Sequence, residues 1–380
     1  MKLHEYQLKL YFKRYGIPVP EGQVTSIARE AKLITEEIGG PVVVKAQVLT
    51  EGRGEAGGIR LARTPDETRL AAAEMLASKI KGIPVRKLLI DEAVNIEKEY
   101  YILITFDRST RHPVLMMYDT GEIFIEAAAS ALYEGLDRVD IDPLIGLRRF
   151  QIIDLASRFD VPEKHIRRFV DICQNLYKLF CEMDATLVAL NPLAITDDDR
   201  MLAIDGKITV DDNAYYRQEM LYDFQPTGAM EPGAVYDARK YGMYYSEMDG
   251  NIGCLMNGGG LAMACLDYIR IRGGHPANYL NMSGNVYEEK VITAMDILYQ
   301  DPRIRVILID FYGGRSDCSV VAASILKTLP RNLNNIPIFA HFCGNKADEA
   351  NAILAGSAVT AVEDFTAAVD KAFEIVGGLQ

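Results

Sequence analysis

From residue 249 to the end of the chain, short apolar runs and helix-like segments alternate five times in succession. The runs are Ile252–Met256, Ala277–Met282, Val306–Phe311, Ile336–Phe342 and Val359–Val362. Each is too short for a core helix, and each is followed by residues at helical spacing. Strand, crossover helix, strand is the one arrangement that uses such a repeat, so this half predicts a doubly wound parallel sheet. Sheets of this kind bind ligands in the loops beyond the carboxyl ends of their strands. Those loops are Asn257-Gly258-Gly259-Gly260, Ser283-Gly284-Asn285, Gly313-Gly314-Arg315-Ser316 and Gly344-Asn345.

The first half is less regular. Leu8, Tyr11, Phe12 and Tyr15 fall at helical spacing, closed by Gly16 and stopped by Pro18 and Pro20. A second helix is expected from a Ser26 cap to Gly39-Gly40. A β-rich run, Pro41 to Val48, leads into the glycine loop Glu51 to Gly58. Strand-like runs follow at Arg86 to Asp91 and Glu99 to Phe106, then helical patterns from Leu147 to Glu182. Thr186 to Thr196 and Arg200 to Asp205 read as a hairpin turning at Asp197-Asp198-Asp199. Between Tyr216 and Asp249 no clean period survives, which predicts a connecting arm. The expected division is a domain over 1–230, a linker over 231–248 and a second domain over 249–380. With 380 residues, more than one core is needed.

The formal net charge of −12 argues against nucleic acid or an anionic membrane as partner, because either needs a basic face. No apolar run approaches the roughly 18 residues of a membrane span. The opening Met1 to Tyr6 has neither the apolar stretch of a secretory signal nor the Arg/Ser bias of a transit peptide. Six cysteines without a CxxC pair read as reduced thiols, and a cytoplasmic protein is expected.

A triphosphate needs backbone N–H donors and a cation, and only glycine lets the backbone come close. Gly52-Arg53-Gly54 with Gly57-Gly58 supplies both. Lys45 lies within a strand of Val, Ala and Gln, where a lysine either snorkels to solvent or meets an anion. Magnesium keeps several waters and needs only one or two protein oxygens, which Asn191 and Asp205 could supply from paired strands. Each element alone has a plainer reading, as a surface hairpin, an edge-strand lysine or a turn. Their order along one chain is less common than any part.

Leu3-His4-Glu5-Tyr6-Gln7, Gly52-Arg53-Gly54 with Ala56-Gly57-Gly58, Asp107-Arg108-Ser109, and Leu190-Asn191-Pro192-Leu193 resemble the β subunit of succinyl-CoA synthetase. So do Asp249 to Cys254, Asn257-Gly258 with Gly260 to Met263, and Pro276-Ala277-Asn278, collinear from residue 3 to about residue 370. The resemblance implies an α/β chain, an ATP-grasp domain followed by a flavodoxin-like CoA-ligase domain. It implies ATP or GTP held by Lys45, Gly52, Arg53, Gly54, Asp91, the Val94 backbone and Glu99, with Mg²⁺ on Asn191 and Asp205. It also implies a separate α-type subunit that carries the phosphohistidine and binds most of the CoA, and a small carboxylic acid as substrate. Asn257, Gly258, Gly259 and Gly260, with Gly314, Arg315 and Ser316, match the family's substrate and phosphate loops. No nucleophile is expected on this chain: His4, His112, His165 and His275 are poorly placed, and His341, at a strand end, is the sole candidate.

Departures from the family pattern are concentrated. Ala189 stands where the family has the glutamate of Glu-Ile-Asn-Pro, with Glu126 or Asp184 as conceivable replacements. Glu55 replaces the lysine of the nucleotide lid, and Asp91 a glutamate. Asn281 to Val286, Asp310 to Arg315 and His341 to Lys346 replace Asp-Val-Gly-Gly-Gly-Ala, Asn-Ile-Phe-Gly-Gly-Ile and Arg-Leu-Glu-Gly-(Asn or Thr)-Asn. These positions are strand ends, so a changed acid specificity is expected, with Arg315 either gripping a further polar group or pairing with Asp317. Two other readings stay open: a succinate–CoA ligase with compensated substitutions, and a regulatory subunit that binds nucleotide without transferring phosphate.

Overall fold

The computed structural model describes residues 1–50, 52–118, 137–219, 221 and 233–377. They form two compact units, Met1–Gln225 and Pro226–Gln380. No helix among the described residues is long and apolar enough to cross a membrane.

The first unit contains two main sheets. One is built from β1 (Gly22–Thr25), β2 (Val42–Ala46), β3 (Ile59–Ala62) and, after the small hairpin of β4 (Lys79–Ile80) and β5 (Ile83–Pro84), β6 (Leu88–Glu92). Its order is β1-β6-β2-β3, antiparallel throughout. Side chains alternate across a strand, so Val42, Val44, Leu88 and Ile90 turn to the helices Ala28–Ile38 and Pro65–Leu76 and form a core with Ile34, Ala72 and Met75. The same alternation turns Val43, Lys45 and Asp91 to the opposite side, with Val43 opposite Asp91 in register. That is why a lysine can sit in an apolar strand.

The helix expected from a Ser26 cap begins two residues later, at Ala28. Thr25 supplies the local bond instead, its Oγ1 accepting from Ile27 N at 3.0 Å and donating to Glu30 at 2.6 Å. Gly39 ends the helix in the left-handed conformation, φ 75°, as its position predicts.

The second sheet comprises β7 (Ile96–Phe106), β8 (Pro113–Tyr118), β9 (Asp137–Asp140), β10 (Ala185–Thr196), β11 (Met201–Ala203) and β12 (Gly206–Val210). Long β10 pairs with β7 on one edge and with both β11 and β12 on the other. Helices Glu5–Arg14, Arg149–Arg158 and Glu163–Glu182 contribute to its core, where Phe12, Leu155, Phe169 and Leu176 meet Tyr100, Ile102, Val188 and Leu190.

The second unit is a six-stranded sheet of β13 (Tyr244–Glu247), β14 (Ile252–Met256), β15 (Asn278–Asn281), β16 (Val306–Gly313), β17 (Ile338–Gly344) and β18 (Val359–Ala361). The order is β13-β15-β14-β16-β17-β18, and β14 to β18 run parallel. All five expected runs are strands. Both faces are covered: Leu255, Ile307 and Ile309 belong to one apolar layer and Cys254, Met256 and Leu308 to the other.

The linker expected over 231–248 is a correction. Its described residues carry the helix Gly233–Lys240 and β13, which pairs antiparallel with β15 and extends the second sheet. Tyr245 packs against the apolar layer while Tyr244 is 60% exposed, and an edge strand this short leaves little periodicity to read.

Candidate functional site

The first unit encloses a cavity of about 500 Å³ whose walls come from both of its main sheets and from the chain's first residues. Lys45, Gly52, Arg53, Gly54, Asp91, Val94, Asn191 and Asp205 all line it. Of the nucleotide and metal residues expected from sequence, Glu99 alone stands apart. It is half-buried on β7 opposite Ala194, while β7 gives Ile96 and Tyr101 to the wall.

The cations are held by carboxylates. Lys45 Nζ donates to Glu5 Oε1 at 2.7 Å and to the Ile204 carbonyl at 3.0 Å, and lies 2.9 Å from Asp91 Oδ2. Arg53 donates from Nη2 to Glu5 Oε2 and Asp205 Oδ2, both at 2.7 Å, and from Nη1 to the Ala46 carbonyl at 3.0 Å. Lys9 closes the network by donating to Asp91 and lying 3.3 Å from Glu5. Burial opposes the charge on Glu5, but Lys45, Lys9 and Arg53 outweigh it and hold its carboxyl below the ordinary range. Burial likewise disfavours the Lys45 ammonium, and Glu5, Asp91 and Asp205 reverse that and raise it. Asp205 goes the other way: burial and then the Glu5 charge raise it, against Arg53, Lys45 and Lys9.

Glu5 and Lys9 are functional candidates that residue-by-residue reading gave no role. Local pattern points the other way, since a Glu and a Lys four apart on an amphipathic helix are expected on its wet face. Here both are buried, at 6% and 7% exposure.

The glycine loop folds into a single wide helical turn over Gly54–Gly58, with Gly57 at φ 78°. A Cβ on Gly58 would stand 2.8 Å from the Arg53 carbonyl and 2.7 Å from Arg53 Cγ, so the loop can wrap the arginine only with glycine there. Glu55 is exposed. Lys81, on the turn of the small hairpin, brings Nζ to 2.8 Å from where a Cβ of Gly52 would stand. A cation therefore flanks the loop from another element. Ala189 is 3% exposed in an apolar cluster with Leu103, Val114 and Met116, a place that disfavours a carboxylate. Asp184 is committed to Arg217 at 2.5 and 2.8 Å, and Glu126 lies outside the described residues.

In the second unit the loops at the strand ends are tied to one another. Asn257 Nδ2 donates to the Tyr312 carbonyl and Tyr312 N donates to Asn257 Oδ1, both at 2.8 Å. Asn281 Oδ1 accepts from Gly258 N at 2.7 Å and Ser283 N at 3.0 Å. Ser316 Oγ accepts from Val286 N at 3.3 Å, and Asn345 N donates to the Gly313 carbonyl at 2.6 Å. The helix Gly259–Ile271 starts inside this loop, so Gly259 and Gly260 lie in its first turn, where backbone amides have no partner within the helix. Gly314 and Arg315 are exposed. Among the described residues Asp317 pairs with Lys346, at 2.8 Å, and not with Arg315.

Residues 2–195 match the ATP-grasp domain family and residues 255–375 the CoA-ligase family. The β subunit of ADP-forming succinate–CoA ligase from Herpetosiphon aurantiacus is 38% identical over 376 residues, 99% of each chain. That from Bacteroides thetaiotaomicron is 43% identical over 350 residues, 90% of this chain and 92% of that one. Among solved structures, ATP citrate lyase from Methanothrix soehngenii matches with a TM-score of 0.67 at 17% identity, over 98% of this chain and 99% of that one, a likeness of fold. With an ATP-grasp domain, a CoA-ligase domain and end-to-end similarity to these subunits, the chain belongs to the family of succinate–CoA ligase β subunits.

Proposed function

We propose that this chain is the nucleotide-binding β-type subunit of an NDP-forming acid–CoA ligase, and that ATP or GTP occupies the cavity of its first unit. One observation carries the reading: Lys45, Arg53 and Asp205 converge on a single cavity beside a glycine turn. Two fixed cations and close backbone are what phosphoryl oxygens require. Asn191 and Asp205 fit a magnesium ion, being hard oxygen donors that line the cavity side by side, with Asn191 N donating to the Asp205 carbonyl at 3.0 Å. When bound, the ion would neutralise charge on the phosphates. Lys45 and Arg53 would orient the same phosphates, and Glu5 would keep both cations in place.

The phosphoryl group passes in this reading to a histidine of an α-type partner, which also binds most of the CoA, and then to a small carboxylic acid. The relatives' name, with its β subunit and its CoA ligase, supports the assembly. The altered strand-end loops of the second unit support an acid other than succinate. Co-expression with the α-type partner tests this: incubation with ATP or GTP should label a histidine of the partner, and a screen of acids should then yield a CoA thioester. Nucleotide binding without any phosphohistidine would overturn the ligase reading in favour of a regulatory subunit.

A further inference from the structure

At the carboxyl edge of the second sheet, Asp310 and His341 stand opposite each other in the parallel register of β16 and β17, level with Met256, the last residue of β14. His341 Nδ1 lies 2.7 Å from Asp310 Oδ1. The other carboxylate oxygen accepts from Cys265 Sγ, on the helix Gly259–Ile271, at 3.2 Å. The Asp310 side chain is 7% exposed and that of His341 18%. Among the described residues His341 Nε2 has no hydrogen-bond partner.

This is the arrangement of an oriented base. A buried carboxylate that accepts a hydrogen bond from Nδ1–H fixes the tautomer, leaving the Nε2 lone pair free, and steadies the ring when Nε2 gains a proton. Cys265 is not a rival nucleophile: burial, and then the Asp310 charge, push its thiol far above the ordinary range, so it remains a donor. Asp310 from β16 bonds the ring, Cys265 reaches it only through Asp310, and Asp364, which caps the helix Phe365–Val376, is near enough to feel the ring's charge. His165 shows the contrast. Its ring is 7% exposed, and its Nε2 is taken by Asp199, a carboxylate 57% exposed and shared with Lys164, so the buried partner there is the ring and not the carboxylate.

Making a thioester from an acid and CoA breaks one S–H bond, and a free thiol is only a few per cent thiolate at neutral pH. We propose that His341, oriented by Asp310, is the general base of the thiol step in the ligase reaction, a role that rests on the function proposed above. Nε2 takes the thiol proton, and the sulfur pair forms the C–S bond to the acyl phosphate carbon. The C–O bond to the phosphoryl group breaks with its electrons passing to phosphate. The imidazolium returns its proton to that phosphate, which leaves as hydrogen phosphate.

The test uses the complex with its α-type partner and compares His341→Gln and Asp310→Asn with the unaltered chain. Labelling of the partner histidine by ATP should persist in both variants, because no thiol takes part. Thioester formation should fall by roughly 10²–10⁴-fold in kcat for His341→Gln, with KM for CoA little changed. The unaltered complex should lose kcat on the acid side, and His341→Gln should lack that limb. Imidazole added to His341→Gly should restore part of the rate, which a structural role would not permit. Asp310→Asn should fall as well, through the wrong tautomer, and guards against a folding defect at 341. Thioester formation within about threefold of the unaltered complex in His341→Gln, or an unchanged acid limb, overturns the proposal. Absence of phosphohistidine in the unaltered complex overturns the ligase reading first and this step with it.

Discussion

Glu5 and Lys45 meet at 2.7 Å inside the first unit, both side chains at 5% exposure or less, and the second oxygen of Glu5 takes Arg53 at the same distance. A single carboxylate from the first helix thus holds two cations from different parts of the cavity. Removing one partner of such a buried set leaves charges that water cannot reach. Glu5→Ala should destabilise the first unit by about 3–5 kcal/mol, measured by urea denaturation. A loss under about 1 kcal/mol would mean that water relaxes into the gap and that the network is not structural.

Acid should weaken the same region from a second direction. His4 lines the cavity, and burial, then the Lys87 and Arg53 charges, press its imidazole down to about 4 from an ordinary 6.5. Between those values the unfolded chain binds a proton that the folded chain refuses, so stability falls as pH drops from about 6.5 towards about 4. The full loss is roughly 3 kcal/mol at 1.36 kcal/mol per unit. Glu5 adds to the loss lower still, because its depressed carboxyl contributes stability above the ordinary carboxylate range and loses it on protonation. Melting temperature followed from pH 7.5 to 4.5 should decline, and His4→Gln should flatten the upper part of the decline. An equal slope in the variant would assign the effect to other groups.

The loop around Arg53 depends on one missing side chain. Gly58→Ala places a methyl 2.8 Å from the Arg53 carbonyl and 2.7 Å from its Cγ. Backbone cannot yield there cheaply, so the guanidinium should leave Glu5 and Asp205. Nucleotide affinity should drop by about tenfold, near 1.4 kcal/mol, in isothermal titration with ATP or GTP. Unchanged affinity with an unchanged fold would show that the loop re-forms around alanine.

What the sequence made legible follows its periodicity. The five parallel strands of the second unit could be read because buried strands are continuous apolar runs separated by helices long enough to cross over. Strand β13 could not, because an edge strand of four residues has one packed face and no run to see. In the first unit Lys45, Arg53, Asn191 and Asp205 stand out as candidates by residue type, and all four line one cavity. Glu5 and Lys9 went without a role because their burial comes from contacts such as that of Glu5 with Arg53, 48 positions away, and of Lys9 with Asp91, 82 positions away. No local pattern records such distances. The pairing of Asp310 with His341 was equally invisible, being a matter of register between two strands 31 positions apart.

Asp205 is where nucleotide and magnesium binding should separate. Burial and the Glu5 charge raise its carboxyl, so this corner of the cavity resists a second anion beside Glu5. A divalent cation on Asp205 and Asn191 would relieve that resistance, whereas phosphates arriving without it would add to it. Asp205→Asn keeps the shape and removes the charge. It should weaken magnesium–nucleotide binding by about tenfold while leaving binding in excess EDTA unchanged or improved, since one repelling anion is gone. In the unaltered chain magnesium-dependent affinity should decline as pH falls, starting above the ordinary carboxylate range because the raised group protonates early. Titration of ATP with and without magnesium, at two pH values and in both proteins, measures each term. An equal loss with and without the metal would assign Asp205 to the support of Arg53 rather than to a cation.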